Sequence, residues 1–207
     1  MFEIYLTTSS WNARGLGATR FQPFYLQSVE RRGTINIQRK ALNMPFWQTL
    51  PSLTKGGIMK VVFLDIDGVL NFVASPQVDR RCLFWVKHIV RKTGAVLVLS
   101  SSWRETILYP TCCNTADIEW VDQLMNHSGL PFIGITPDID EVHRELEIQK
   151  WLDAAPEPIE SFVILDDLEF EFPKLFPQNF IQTSGFLKRG LTWRQVVNAI
   201  KILNQNR

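Results

Sequence analysis

Lys60-Val61-Val62-Phe63-Leu64-Asp65-Ile66-Asp67-Gly68-Val69-Leu70 is the stretch on which the reading of this chain turns. Val61 to Leu64 is an unbroken apolar run that ends abruptly in acid and glycine. A strand buried on both faces of a parallel sheet has this form. Asp65 and Asp67 are two residues apart, so an extended backbone turns both to one side. Gly68 lets the chain bend sharply straight after them.

Outward from this stretch, apolar runs alternate with amphipathic ones. Residues 79–93 predict a helix with Leu83, Val86, Ile89 and Val90 as its apolar residues and Gly94 as its stop. Ala95–Leu99 predicts a second buried strand. Residues 117–128 predict a helix opened by Asp117 and closed by Gly129, and Pro131–Ile135 a short strand. Residues 140–153 predict a helix with Ile148, Trp151 and Leu152 on one face. Ser161–Leu165 predicts a third strong strand and Asn179–Gln182 an edge strand. Residues 192–204 predict a last helix, capped by Thr192 and striped by Val196, Val197, Ile200 and Leu203. Strands alternating with helices imply an α/β fold, a Rossmann-like sandwich of three layers around a mostly parallel sheet.

The chain has 207 residues, 45% hydrophobic and 21% charged, which excludes a mostly disordered chain, a collagen and a coiled coil. No apolar run approaches the ~20 residues that span a bilayer, so no membrane partner is expected, and the N-terminus lacks the apolar core of a signal peptide. Residues 1–58 hold seven Lys and Arg against two Asp and Glu, whereas residues 59–207 hold 15 against 19. The chain thus divides into a basic N-terminal extension without sustained periodicity, expected to be irregular, and an acidic domain from Met59 onward. An acidic body argues against a dedicated double-stranded DNA binder. For the extension, a targeting segment and a true start at Met59 are open alternatives. Cys82, Cys112 and Cys113 make no C-x-x-C pair, which points to free thiols in a reducing, cytoplasmic setting. The oligomeric state is not encoded in any pattern.

The strand ends carry the chemistry. In open α/β sheets ligands bind beyond the carboxyl ends of the strands. There the chain presents Asp65 and Asp67, then Ser100-Ser101-Ser102-Trp103-Arg104, then Asp166-Asp167. Four carboxylates on one rim repel and raise one another's pKa unless a cation sits among them. Oxygen donors with positions left for water suit Mg²⁺. The pattern therefore reads as a magnesium site built for a phosphate-bearing ligand. In such a site one carboxylate can bind metal and attack while the other serves as acid and base.

VVFLDIDGVL (61–70), VLVLS ending at Ser100, Arg144 ahead of a strand, and FVILDD ending at Asp166 and Asp167 resemble, in order, the four motifs of the haloacid dehalogenase-like (HAD) phosphohydrolase superfamily. The resemblance spans about residues 59–205. Within it, LSSSWRE, HRELEIQKWL and VILDD are similar to the HAD domain of Swiss-army-knife RNA repair proteins. It implies a Mg²⁺-dependent phosphatase working through an aspartyl-phosphate. Asp65 would be nucleophile, Asp67 acid and base, and Ser100 and Arg144 would hold the phosphoryl oxygens. The metal would sit among Asp65, the Asp67 carbonyl, and Asp166 or Asp167.

Several assignments stay open on sequence alone. Ser101 competes with Ser100, and Lys150 with Arg144. Arg104 reads either as a substrate-binding residue, gripping a second phosphate or a nucleic-acid backbone, or as structural. Trp103, Trp120, Trp151 and Trp193 read as packing residues. Within the domain only about residues 104–116 remain as a lid, so the rim is expected to be nearly uncapped, with the basic extension an open alternative as a lid. An uncapped rim favours a large phosphorylated substrate, such as an RNA or DNA end. A small-metabolite phosphatase, a phosphotransferase and a non-catalytic binding module are the competing classes.

Overall fold

Five strands form one sheet in a computed structural model that describes residues 58–72, 77–139, 143–155, 157–184 and 190–205. They are β1 (Met59–Leu64), β2 (Val96–Leu99), β3 (Phe132–Ile135), β4 (Ile159–Asp166) and β5 (Phe180–Gln182). Their order is β3-β2-β1-β4-β5, and every pairing is parallel. The apolar run chosen from the sequence is thus the central strand, with all six residues buried. The expectations for residues 1–57 lie outside the described residues. Among those described, no helix is long and apolar enough to cross a membrane.

The helices are α1 (Arg80–Thr93), α2 (Glu105–Leu108), α3 (Thr115–Asp122, running on as a π-turn over Gln123–His127), α4 (Arg144–Asp153), α5 (Phe172–Leu175) and α6 (Trp193–Leu203). Alternation along each strand sorts the core into two layers. Val62, Leu64, Leu97, Leu99, Val163 and Leu165 pack against Val86 and Ile89 of α1 and Val196 and Ala199 of α6. Val61, Phe63, Val98 and Ile164 face the other way, onto Ile148 and Trp151 of α4 and Phe172 of α5. Phe63 meets Trp151 edge-on at 5.2 Å. This is the three-layer α/β sandwich expected of the pattern.

Local chemistry fixes the helix ends. Asp79 accepts the Arg81 and Cys82 amides at 2.9 and 3.0 Å, and Gly94 ends α1 at φ +72°. α3 begins two residues before Asp117, because Asn114 is the cap and its Oδ1 takes the Asp117 amide at 2.9 Å. The described part of the fourth helix starts at Arg144, with residues 140–142 outside the description. On α6, Val197 faces solvent, and Ala199 and Ile202 complete the buried stripe instead. Gln195 Oε1 accepts the Thr192 amide at 2.8 Å, tying the start of that helix.

Candidate active site

Parallel pairing sets the end of each strand on one rim. Asp65 follows β1, Ser100 follows β2, Thr136 follows β3, Asp166 ends β4 and Thr183 follows β5, and all five are buried. The β-ladder runs one step beyond the strands to fix them. The Asp65 amide donates to Leu165 O at 3.0 Å, Ser100 to Leu64 O at 2.9 Å, Thr136 to Leu99 O at 2.9 Å and Thr183 to Asp166 O at 2.8 Å. The rim is therefore as rigid as the sheet.

Three carboxylates converge there. Asp65, Asp166 and Asp167 each bring an oxygen within 4.8 Å of the others. Arg144, from the first turn of α4, reaches back to them. Its guanidinium lies 2.6 Å from Asp166 and 3.3 Å from Asp65, and its face rests on the Phe170 ring 5.0 Å away. One cation does not balance three acids. Burial, with Asp166 alongside, pushes the Asp65 carboxyl up to about 8 despite Arg144. Burial lifts Asp166 to about 6 against the pull of Arg144, and lifts Asp167 as well. Burial lowers the Arg144 pKa, yet Asp65 and Asp166 outweigh it, so Arg144 stays charged. An all-oxygen donor set short of positive charge is what a hard divalent cation such as Mg²⁺ fits.

Asp67 stands apart from this cluster and is exposed. Its carboxylate accepts from Asn71 Nδ2 at 2.6 Å and from the Trp103 indole at 2.8 Å. Asn71 Oδ1 in turn accepts the Gly68 amide at 3.1 Å. Gly68 itself sits at φ +72°, and a Cβ there would lie 2.3 Å from Asp167 Oδ2. Thr183 Oγ1 donates to Gly68 O at 3.0 Å and pins the turn from the far side. The Asp-x-Asp-Gly turn is thus locked by three side chains from three parts of the chain.

The hydroxyls of Ser100, Ser101 and Thr136 are buried and make no hydrogen bond of ordinary geometry within the protein. Ser101 lies close enough to Asp65 to favour its charged form. Ser101 is therefore beside Asp65, and Ser100 sits on the same rim by its backbone hydrogen bond to Leu64. Arg104, which the sequence left open between substrate-binding and structural, is engaged within the protein. It is 7% exposed, pairs with Glu147 of α4, and donates to the Ser101 carbonyl at 3.2 Å. It positions the serine turn. Lys150 is exposed on α4, away from the role open to it.

Residues 61–196 match the family described as the HAD domain in Swiss Army Knife RNA repair proteins. The chain belongs to that family. Neither a curated protein nor a solved structure matches it. In this HAD domain, the Ser-Trp-Arg and Arg-x-x-Glu segments meet in space. Trp103 holds Asp67, Arg104 holds Ser101, Glu147 holds Arg104, and Arg144 holds the acids. Asn71 and Thr136 lie at this candidate site without having been singled out from the sequence, which took Trp103 for packing and Glu147 only as part of a family-like segment. Trp103 was hidden by its resemblance to a packing residue, and it does lie against Trp120, tilted, with ring centres 4.7 Å apart. Thr136 had one signal, its place directly after a strand.

Proposed function

We propose that this HAD domain is a Mg²⁺-dependent phosphomonoesterase that acts through an aspartyl-phosphate on a phosphorylated nucleic-acid end. The observation that carries the reading is the convergence of Asp65, Asp166 and Asp167 around Arg144, with Asp67 held separately at the solvent edge. Membership of the family supports phosphohydrolase chemistry. Asp65, Asp166 and Asp167 would hold the metal, which when bound screens the repulsion between an anionic nucleophile and an anionic phosphate.

An Asp65 carboxylate oxygen forms a bond to phosphorus as the ester oxygen leaves. Asp67 gives that oxygen its proton, then takes one from the water that attacks the aspartyl-phosphate. Inorganic phosphate departs and Asp65 is restored. Ser100, Ser101 and Arg144 donate to phosphoryl oxygens; the Ser100 hydroxyl has no partner of ordinary geometry within the protein to give up. Asp67 keeps its orientation through two donors and still faces solvent, where a leaving group and a water must both pass.

Substrate size is argued from the rim. Among the described residues, only short turns and α2 lie between Ser101 and α3, and no inserted layer covers the strand ends. A rim left this open by the described residues relies on the substrate's own bulk to exclude water. The test is phosphate release with Mg²⁺ and with EDTA, wild type against Asp65→Asn. The panel holds p-nitrophenyl phosphate, 5′- and 3′-phosphorylated RNA and DNA oligonucleotides, a phosphopeptide and sugar phosphates. Release that needs Mg²⁺, is lost in the variant and is fastest on oligonucleotide ends is expected. Full activity in the variant overturns the nucleophile. A preference for sugar phosphates overturns the substrate class.

A further inference from the structure

The outer face formed by α1 and α6 carries a cluster unlike the rest of the surface. Phe84 and Trp193 are 54% and 53% exposed, high for such large rings. Phe84 lies 5.0 Å from Trp85, Trp85 lies 5.2 Å from Trp193, and His88 lies 5.7 Å from Trp193. Arg91 reaches His88 at 3.2 Å. Four rings on two helices thus touch in one cluster, with Phe84 and Trp193 exposed and Trp85 and His88 half-buried between them. Trp85 packs partly against the core that Cys82, Val86 and Ile89 of α1 close, whereas Phe84 and Trp193 stand outside it.

Charge singles out the same face. The α1 sequence RRCLFWVKHIVRKT has five Lys and Arg and no acid, and α6, WRQVVNAIKIL, adds Arg194 and Lys201, again with no acid. The domain that carries them is acidic overall. All five basic side chains of α1 are exposed. Helical spacing puts Arg80 and Arg81 one turn before Phe84, and His88 and Arg91 one and two turns after it. Aromatic rings interleaved with cations are the combination that holds single-stranded nucleic acid. Bases stack on the rings while cations follow the phosphates.

The face also begins where the catalytic loop ends. The Asp79 amide, at the start of α1, donates to Leu70 O at 2.7 Å. The Leu191 amide, two residues before Trp193, donates to Val69 O at 3.1 Å. Both helices therefore start from the Val69-Leu70 turn that follows Asp65 and Asp67. A strand whose phosphorylated end enters the rim has these helix starts beside it.

We infer that the α1–α6 face is a binding surface for the single-stranded segment of the nucleic acid, with Phe84, Trp85 and Trp193 stacking bases and Arg91 and Arg194 meeting phosphates. This rests on the nucleic-acid reading of the active site for its ligand class. Its test does not depend on turnover. Binding of a fluorescein-labelled RNA 20-mer with hydroxyl ends, in EDTA, is measured by anisotropy for the full chain. Phe84→Ala and Trp193→Ala should each weaken binding roughly tenfold. Arg91→Ala and Arg194→Ala should each lower the salt dependence by about 0.7 in the log–log slope. A fully paired duplex should bind more weakly than the single strand. All four variants should hydrolyse p-nitrophenyl phosphate at the wild-type rate, which separates loss of this surface from loss of the catalytic reading. Unchanged RNA affinity in folded ring variants overturns the inference. So does a change of sedimentation coefficient in place of a change in affinity, which would make this face a contact between copies. RNA binding lost in the ring variants, in a protein with no phosphatase activity, would keep the surface and discard the proposed reaction.

Discussion

At the scale of single residues, the site is decided by who holds Asp67. Its carboxylate is exposed, yet the Trp103 indole and the Asn71 amide fix it. Trp103→Phe keeps a ring against Trp120 and removes only the donor. A hydrogen bond to a charged group is worth about 1.5–3 kcal/mol. The expected result is a fall of about tenfold or more in kcat on p-nitrophenyl phosphate, with KM and melting temperature nearly unchanged. A melting loss with intact kcat would instead make Trp103 a packing residue alone. Gly68 gives a second test. Its φ of +72° disfavours any side chain, and a Cβ would strike Asp167. Gly68→Ala should cost about 1–3 kcal/mol in stability by urea titration and should sharply lower turnover, because Asp167 must move. The sequence made Asp65, Asp67, Asp166 and Asp167 legible, since acids directly after apolar strands have few structural uses. It did not make Trp103 legible, because an indole that packs and one that donates look alike without a partner in view.

At the scale of elements, strands were easier to read than helix ends. A strand buried on both faces needs an unbroken apolar run, and β1, β2 and β4 supply one. Helix starts depend on which of several capping residues wins. Asn114 wins over Asp117 because its side chain reaches an amide three residues ahead. Val197 was misplaced because α6 rests on the sheet through Val196, Ala199 and Leu203, which a one-residue rotation of the stripe hides. Contacts between elements were least legible of all. Arg104, in the turn after β2, and Glu147, on α4, are 43 residues apart in sequence and form a buried pair. Removing one partner of such a pair leaves an uncompensated charge and costs about 3–5 kcal/mol. Burial already raises Glu147 to about 7, and Arg104 holds it down. Without Arg104 the carboxyl escapes its burial by taking a proton. Arg104→Met should therefore destabilise more at pH 8 than at pH 6, in urea titrations at both values. Adding Glu147→Leu should recover most of the loss. Equal destabilisation at the two values would mean that Glu147 is not the group left stranded.

At the scale of the whole molecule, the active site stores unfavourable charge in the fold's most rigid place. Asp65 is raised to about 8 and Asp166 to about 6, each mainly by burial, well above the ordinary range of an aspartate. The native state then binds more protons than the unfolded chain between about pH 4 and pH 8. Stability changes with pH in proportion to protons bound unfolded minus protons bound native. That difference is negative across this window, so metal-free protein should lose stability as pH rises from about 5 to 8. A cation that binds the ionised acids reverses the balance. Its binding displaces protons, so its stabilisation should grow over the same range. Melting temperatures at pH 5, 6, 7 and 8, in EDTA and in excess Mg²⁺, should start close together and diverge upward. Asp65→Asn cannot titrate. In EDTA it should flatten the decline between pH 6 and 8 and melt no lower than wild type at pH 8, while losing turnover on the proposed mechanism. A wild-type curve that rises with pH in EDTA would show that Arg144 alone compensates the three carboxylates. In that case the cluster needs no metal to stay folded, and the case for a cation would rest on turnover alone.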